Sequence, residues 1–377
     1  MTVYLDCNAT TPMEPLVRDA VLKYMAKEFG NAGSRTHEFG TRAKQAVQKA
    51  RDKIAEMVAA KREEVIFTSG ATESNNLAIL GLKEYGEQNH KRHIVSTQIE
   101  HKAVLEPLVA LEKVGFEVTL VPPTKEGWVE PEAIKEAVRE DTLLVSVMQV
   151  NNETGIIQPI AKMTELLAEH PAYFHTDAAQ GFGKDITTLR NPRIDMISVS
   201  AHKIYGPKGV GALIMRRRDY QKVPLTPLMY GGGQERGLRP GTLPVHLIVG
   251  FGVATELALK NFQERANICR AFRDQALEAL APLKPIIHGD LDHTLSHVIN
   301  FSIAGLDSEA AILALKKMIA ISNGSACTSS SYTPSHVLKA MNLSDTEIQG
   351  ALRISWCHLT ESVDWTEIVK RLKEVLF

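Results

Sequence analysis

Short β-forming runs alternate with amphipathic helical patterns between residues 63 and 215. Helical patterns such as those at 131–140 and 160–170 separate many of the runs. Alternation of this kind predicts crossover connections between parallel strands, and therefore a mostly parallel α/β sheet with ligands at the ends of its strands. The β-forming runs lie at 65–67, 93–96, 117–121, 143–147, 173–175, 196–198 and 211–215.

A different pattern follows this alternating region. A long helical stretch covers roughly 247–280 and leads into strand-like runs at 296–302 and 353–355. At 377 residues the chain is long for a single hydrophobic core. We therefore predict a large domain over 15–260 and a smaller α+β domain formed by 1–14 and 261–377.

One lysine, Lys203, lies between hydroxyls, a histidine and a glycine-rich turn in the stretch 198–209. Upstream, an apolar-flanked run ends in the carboxylate of Asp177. A lysine that binds pyridoxal phosphate as a Schiff base needs a carboxylate partner to keep the pyridine nitrogen protonated. Lys203 and Asp177 are candidates for these two roles, although an arbitrary lysine beside a turn is most often a surface residue.

The segment Ser69-Gly70-Ala71-Thr72 follows an apolar β-forming run and precedes an apolar helical run at 77–82. A strand-to-helix turn of this kind offers backbone N–H groups and a helix N-terminus to a phosphate. Ser69 or Thr72 could equally cap an ordinary helix. Beside Lys203, Ser200 and His202 could donate hydrogen bonds to the same phosphate, so the lysine favours the phosphate interpretation.

With these motifs the chain resembles the NifS/IscS-like cysteine desulfurases of the class V aminotransferase group, which are fold-type I pyridoxal-phosphate enzymes. The resemblance runs from Tyr4 to Ser355. It implies a mostly parallel seven-stranded sheet in the large domain, a catalytic cysteine loop in the small domain, and a homodimer. Further motifs that carry it are ATTP at 9–12, TSGATESNN at 68–76, EH at 100–101, NNETG at 151–155, RPGT at 239–242 and GSAC at 324–327.

The resemblance also implies roles for individual residues. His101 lies flat against the pyridine ring and can move protons, and Gln180 donates to the phenolic oxygen of the cofactor. Arg353 holds the substrate carboxylate with its two-pronged guanidinium, with Asn152 nearby; without the resemblance, we would expect a surface ion pair for Arg353. Thr242 reaches the phosphate of the neighbouring subunit. The predicted cofactor-binding residues are Ala71, Thr72, His101, Asn152, Asp177, Gln180, Ser200, His202, Lys203 and Thr242.

The chain has four cysteines, and no pair has the short spacing of a zinc or redox motif, so we predict no metal site. The N-terminus lacks a signal-peptide pattern, so we expect a cytoplasmic protein with free thiols. Cys269, in an amphipathic helical stretch, is predicted to be buried packing. Small and hydroxylated residues surround Cys327, which is typical of a mobile exposed loop. The resemblance makes Cys327 the nucleophile that forms a persulfide.

The sequence departs from the family pattern near both ends. Cys7 stands where the family usually has Tyr or Asn, and Ser355-Trp356-Cys357-His358 replaces the usual Ser-Leu-Gly-Arg. These positions receive no assigned role. Tyr332-Thr333-Pro334 favours the desulfurases that supply DNA phosphorothioate modification (the DndA type).

Charge and hydropathy limit the partners. With 43 basic and 44 acidic residues the net charge is -1, which argues against direct nucleic-acid binding, so any such link runs through a partner. Three consecutive arginines at 216–218 are expected to be a solvated strand end. No apolar run approaches the ~20 residues that span a membrane, so no membrane association is predicted.

We therefore predict a sulfurtransferase that converts L-cysteine to L-alanine and a Cys327 persulfide, which passes to an acceptor protein. The alternatives are a sulfur donor for iron–sulfur clusters or for tRNA thiolation, a selenocysteine lyase, and a plain class V aminotransferase. An aminotransferase would not need Cys327. A sulfur-carrying scaffold without cofactor chemistry is disfavoured by the presence of Lys203, Asp177 and Gln180. An iron–sulfur cluster held through Cys327 would need further ligands from elsewhere.

Overall fold

The computed structural model describes residues 2–218, 220–323 and 334–376, so Cys327 lies outside the described residues. The strands in this part of the chain are β1 (Val3–Tyr4), β2 (Val65–Thr68), β3 (His93–Thr97), β4 (Glu117–Val121), β5 (Thr142–Ser146), β6 (Tyr173–Asp177), β7 (Met196–Ser200), β8 (Gly211–Met215), β9 (Ile286–Ile287), β10 (Val298–Ser302), β11 (Ile319–Ala320) and β12 (Leu352–Ser355). The α-helices are α1 (Pro15–Ala26), α2 (Glu38–Met57), α3 (Ala71–Leu80), α4 (Lys83–Gln88), α5 (Lys102–Glu112), α6 (Pro131–Ala137), α7 (Ile160–Leu166), α8 (Ile186–Leu189), α9 (Val245–Leu280), α10 (Ser308–Leu315), α11 (His336–Ala340), α12 (Asp345–Gln349) and α13 (Trp365–Glu374).

A seven-stranded sheet in the order β2-β8-β7-β6-β5-β3-β4 forms the centre of the molecule. Its strands are parallel except β8, which runs antiparallel to both β2 and β7. Every residue of β2, β3, β5 and β7 is buried, as expected for strands covered by helices on both faces. The predicted α/β fold class, with a mostly parallel seven-stranded sheet, is confirmed.

Two smaller sheets lie outside the central one. β12, β10 and β9 form an antiparallel sheet, and β1 pairs in parallel with β11. Their apolar residues form a second core with α10, α13 and the later part of α9, in which Cys269 is buried as predicted. The domain boundary near residue 260 stays a prediction.

Helix α9 and the turn that follows it (Val245–Leu283) have the length and apolar composition of a membrane span. The helix packs against α1 and α2: a Cβ added to Gly252 would lie 2.6 Å from the Cα of Ala50. Phe251 is fully buried in the same core. Core packing therefore accounts for much of the apolar character of α9, and the predicted absence of a membrane association stays a prediction.

The expectation of a solvated strand end after β8 holds for Arg217, which is exposed, and is wrong for Arg216 and Arg218. Arg216 is buried, and its guanidinium donates hydrogen bonds to the carbonyls of Val58 and Leu189. Arg218 pairs with the buried carboxylate of Asp195. These arginines satisfy main-chain oxygens at the ends of neighbouring elements, which would otherwise be buried without partners.

Candidate active site

The carboxyl ends of the central strands meet at a cavity of about 450 Å³. This is the edge at which parallel α/β sheets usually bind ligands. Thr242 is exposed and does not line the cavity of its own chain, and Cys327 lies outside the described residues. The predicted residues that line the cavity are Ala71, Thr72, His101, Asn152, Asp177, Gln180, Ser200, His202, Lys203 and Arg353.

Lys203 is presented by a 3₁₀ turn that follows β7 directly. Its Nζ donates hydrogen bonds to the main-chain oxygens of Asn8, at 2.5 Å, and Ala9, at 2.9 Å. The neighbouring His202 places Nδ1 3.1 Å from the hydroxyl of Thr10, and burial lowers the pKa of His202 to about 4. The lysine turn is thus held by hydrogen bonds to the N-terminal segment, which lies about half the chain away in sequence.

Asp177 ends β6 and is held by two donors. Its Oδ2 accepts a hydrogen bond from Asn75 Nδ2 at 2.7 Å, and its Oδ1 accepts one from the main-chain N–H of Ala179 at 2.9 Å. Asn75 lies in α3 and is fully buried. Two hydrogen bonds to different oxygens fix the direction of the carboxylate.

Helix α3 begins at the cavity, immediately after Gly70. Gly70 has φ 156°, and a Cβ on the neighbouring Gly211 would lie 2.6 Å from the Cα of Gly70, so this turn requires glycine at both positions. The first N–H groups of a helix have no partner within it and can bind an anion. Glu73 in the first turn accepts from the N–H of Ser69 and pairs with Arg239 at 2.9 Å. This pair ties the motif at 239–242 to the start of α3.

His101 caps the N-terminus of α5. Its Nδ1 accepts a hydrogen bond from the N–H of Ala103 at 3.0 Å, so the neutral ring carries its proton on Nε2. Burial lowers the pKa of His101, an effect that the negative charge of Asp177 opposes and the positive charge of Lys203 supports. His101 is therefore a neutral donor through Nε2 at neutral pH.

Glu100, beside His101, is fully buried. One of its carboxyl oxygens accepts hydrogen bonds from the N–H of Met148, at 2.9 Å, and the hydroxyl of Thr97, at 2.7 Å. Burial raises the pKa of Glu100 to about 8, so the group is mostly protonated at neutral pH. His336 Nε2 donates to the main-chain oxygen of Glu100 at 2.9 Å. These contacts fix the loop that delivers His101.

Arg353 lies in β12 and is 1% exposed, so the expectation of a surface ion pair is wrong. Its Nη2 donates to Asp6 Oδ1 at 2.6 Å, and its Nη1 donates to the main-chain oxygen of Asn152 at 2.9 Å. The guanidinium thus joins the small sheet, the N-terminal segment and the loop after β5 at the cavity wall. This position suits the recognition of a carboxylate.

Asn8 connects several of these groups and was missed by sequence reasoning. Its main-chain oxygen accepts from Lys203 Nζ and from Gln180 Nε2, and its Nδ2 donates to the main-chain oxygen of Asn152. Its main-chain N–H donates to the hydroxyl of Ser355. The signal available in the sequence was that Asn8 directly precedes the ATTP motif.

The cavity fits pyridoxal 5'-phosphate. It offers a lysine amine for the aldehyde, a carboxylate for the pyridine nitrogen and a helix N-terminus for the phosphate. A buried polar atom without a partner is costly, and it indicates a site where a ligand supplies the missing hydrogen bond. Among the described residues that line the cavity, such atoms are Asn8 Oδ1, Asn75 Oδ1, Gln180 Oε1 and Arg353 Nε.

The sequence comparisons agree with this geometry. The family model described as aminotransferase class V matches residues 3–365. The cysteine desulfurase IscS of Methylococcus capsulatus is 43% identical over 383 residues, covering 100% of this chain and 94% of that protein.

Solved structures extend the likeness to three dimensions. The crystal structure of DndA from Streptomyces lividans matches with a TM-score of 0.83 and 49% identity, covering 93% of this chain and 98% of that chain. A structure of SspA in complex with cysteine matches with a TM-score of 0.82 and 37% identity, covering 94% and 98%. The fold is therefore shared with proteins of closely similar length.

Proposed function

Since this chain belongs to the aminotransferase class V family and is a pyridoxal-phosphate-dependent cysteine desulfurase, we propose which of its residues carry the reaction. When bound, the cofactor would supply an electron sink for the α-carbon of the substrate cysteine. Lys203 and Asp177 would hold its aldehyde and its pyridine nitrogen, and Gln180 would donate to its phenolic oxygen. The residues proposed to hold the phosphate are Ala71, Thr72, Ser200, His202 and, from a second copy of the chain, Thr242.

Substrate binding falls to Arg353 and Asn152. The buried guanidinium of Arg353 receives the carboxylate of cysteine, and its fixed contacts with Asp6 and with the main chain of Asn152 set the orientation. This orientation presents the α-carbon to the amine of Lys203, which removes the α-proton once the amine of cysteine has taken its place at the aldehyde. His101, neutral and protonated on Nε2, supplies a proton to the reacting groups.

Sulfur capture falls to Cys327. Its thiolate attacks the sulfur of cysteine, an S–S bond forms as the Cβ–S bond breaks, and a proton is delivered to Cβ. The products are L-alanine and a Cys327 persulfide, so one sulfur atom has moved and no external oxidant is consumed. The observation that carries these assignments is the convergence of Lys203, a doubly held Asp177 and a buried Arg353 on one cavity.

Two variants separate cofactor chemistry from sulfur capture. Lys203→Ala should release no alanine from cysteine and should lack the visible absorption of the bound cofactor. Cys327→Ser should retain that absorption and accumulate no protein-bound persulfide. Cys269→Ser, at a buried packing position, serves as the matched control and should behave as the unaltered enzyme. Full alanine release by Lys203→Ala, or persulfide on Cys7 or Cys357 in Cys327→Ser, would contradict the assignments.

We also propose that the persulfide supplies DNA phosphorothioate modification through an acceptor protein. The support is the 49% identity to the Streptomyces lividans DndA, together with the near-neutral charge that disfavours direct DNA binding. The chain, expressed in a strain that lacks its own phosphorothioation desulfurase, should restore phosphorothioate dinucleotides measured by mass spectrometry, whereas Cys327→Ser should not. Restoration of iron–sulfur enzymes or thiolated tRNA in place of phosphorothioates would assign the sulfur to those pathways.

A further inference from the structure

Two cysteines that the proposed reaction does not use, Cys7 and Cys357, lie side by side next to the active site. Both are free and almost fully buried. The segments that carry them run together: the N–H of Cys7 donates to the oxygen of Ser355 at 3.0 Å, and the N–H of Ser355 donates to that of Leu5 at 2.9 Å. The side chains of Cys7 and Cys357 form one buried cluster with Tyr205.

The surroundings of the two thiols are unequal. The sulfur of Cys357 accepts a hydrogen bond from the hydroxyl of Thr360 at 3.7 Å, and His358 follows Cys357 in the chain. The neighbouring thiol of Cys7 is the largest cause that lowers the pKa of Cys357, and burial opposes it. The neighbouring thiol of Cys357, together with burial, raises the pKa of Cys7. Of the two thiols, Cys357 therefore loses its proton more readily.

Other ionisable groups face this pair from neighbouring elements. The positive charge of Lys184 lowers the pKa of Cys7, whereas the thiol of Cys269 raises it. Tyr205 and Arg265 complete the surroundings, with the guanidinium 5.0 Å from the ring of Tyr205. The described residues around the pair thus include cationic groups that favour a thiolate.

A groove of about 450 Å³ lies beside the two cysteines. Cys7 and Cys357 both line it, together with hydroxyl side chains such as Thr10 and Thr360. Lys208 lines this groove as well as the cofactor cavity. Glu361 also lines the groove, so a lysine, a carboxylate and several hydroxyls suit a small peptide-like compound that carries charges of both signs.

We propose that Cys7 and Cys357 form a second thiol centre, a dithiol that small peptide disulfides oxidise to an intramolecular disulfide. The Cys357 thiolate attacks one sulfur of the small disulfide, forms a mixed disulfide and releases one thiolate. The sulfur of Cys7 then attacks the sulfur of Cys357, and the second small thiol leaves with the proton of Cys7. The protein dithiol is oxidised by two electrons, and the small disulfide is reduced to two thiols.

The position of the pair couples its oxidation to the active site. Cys7 directly precedes Asn8, whose main-chain oxygen holds Lys203, and Cys357 follows the strand that carries Arg353. A covalent bond between the two segments changes the spacing that the cavity relies on. We expect the affinity for cysteine, read from the spectrum of the bound cofactor, to change at least about threefold upon oxidation, because a small misplacement of binding groups has large effects.

Cofactor-loaded Cys327→Ser protein, which lacks the proposed catalytic thiol, is the material for the test. After incubation with glutathione disulfide, acid quenching, alkylation and digestion, mass spectrometry should find the peptides of Cys7 and Cys357 joined, about 2 Da lighter than the two free peptides. Dithiothreitol should reverse the product. When the substitution Cys7→Ser is introduced into this protein, the reaction should stop at a mixed disulfide on Cys357. When Cys357→Ser is introduced instead, neither the mixed disulfide nor the bridge should form. Adding Cys269→Ser, the matched control, should leave the bridge unchanged.

Three results would overturn the proposal: both peptides fully alkylated after oxidation, a bridge to Cys269, or a mixed disulfide on Cys7 that forms equally fast without Cys357. An unchanged affinity for cysteine in the bridged protein would refute the coupling to the active site. Retained cofactor absorption shows that each variant is folded, and Cys7→Ala and Cys357→Ala replace any serine variant that fails this check.

Discussion

Replacing Glu100 by glutamine should stabilise the protein at alkaline pH and change its stability little at acidic pH. The carboxyl group is fully buried, and only one of its oxygens has partners among the described residues, namely Met148 and Thr97. Burial raises its pKa from 4.5 to about 8. Glutamine keeps the accepting oxygen at the same place but has no proton to lose.

The sign and size of the effect follow from proton linkage. Because the pKa of Glu100 is higher in the folded protein, the folded state binds more protons, and the free energy of unfolding falls as the pH rises from 4.5 to about 8. At about 1.36 kcal/mol per pH unit, this interval amounts to about 5 kcal/mol. Roughly 4 kcal/mol of it develops between about pH 5 and about pH 9. Glu100→Gln has no titrating proton at this position, so its free energy of unfolding should not show this decrease with pH.

The measurement is urea unfolding of the cofactor-saturated protein at about pH 5, 7 and 9, with the unaltered enzyme and Glu100→Gln compared at each pH. Glu106→Gln provides the matched control, since Glu106 lies exposed on α5 a short distance along the chain. The advantage of Glu100→Gln should grow with pH, whereas the control should show no such trend. A difference between variant and unaltered enzyme that stays constant from acidic to alkaline pH would refute the reasoning.

Two further predictions concern the cofactor and the second subunit. Asn75→Ala removes the 2.7 Å hydrogen bond to Asp177, and such a bond to a charged acceptor is worth about 1.5–3 kcal/mol. The dissociation constant for pyridoxal phosphate, measured by fluorescence titration, should therefore rise about 10- to 100-fold. The control Asn76→Ala loses only a hydrogen bond within its own helix and should leave the dissociation constant unchanged. Mixing Lys203→Ala with Thr242→Ala should restore about a quarter of the full activity, because half of the dimers then contain one site with neither defect. Thr242 is changed alone, since Arg239 pairs with Glu73 of its own chain, and an active monomer in sedimentation would contradict the shared site.

The strands were predictable because each buried strand is a short run of β-forming apolar residues, a pattern that needs no long-range information. Helix ends were less predictable. The helix expected over 131–140 ends at Ala137, because Val138 takes an extended conformation with ψ 145°. The arginines after β8 were misjudged because the carbonyls that bind Arg216 come from elements distant in sequence.

For the site, sequence motifs pointed to residues that line the cavity and missed several residues that hold them in place. Lys203 and Asp177 stand in recognisable surroundings, and both line the cavity. Asn75 lies within a quoted motif, yet its contact with Asp177 spans 102 residues of sequence and cannot be read from local spacing. Glu100 looks like an ordinary acid until its complete burial is known.

The segment from Asp6 to Ala9 shows why the two sheets must come together before the site exists. Its main-chain oxygens hold Lys203, which follows the central sheet, while the carboxylate of Asp6 holds Arg353 of the smaller sheet. Each contact taken alone buries a charged group at a cost that one or two hydrogen bonds barely offset. Together they fix the amine and the guanidinium relative to each other, which is the arrangement that the proposed binding of cysteine requires. The unequal thiol pair lies against the same segment, at Cys7, so a change in its oxidation state acts on the element that sets the geometry of the site.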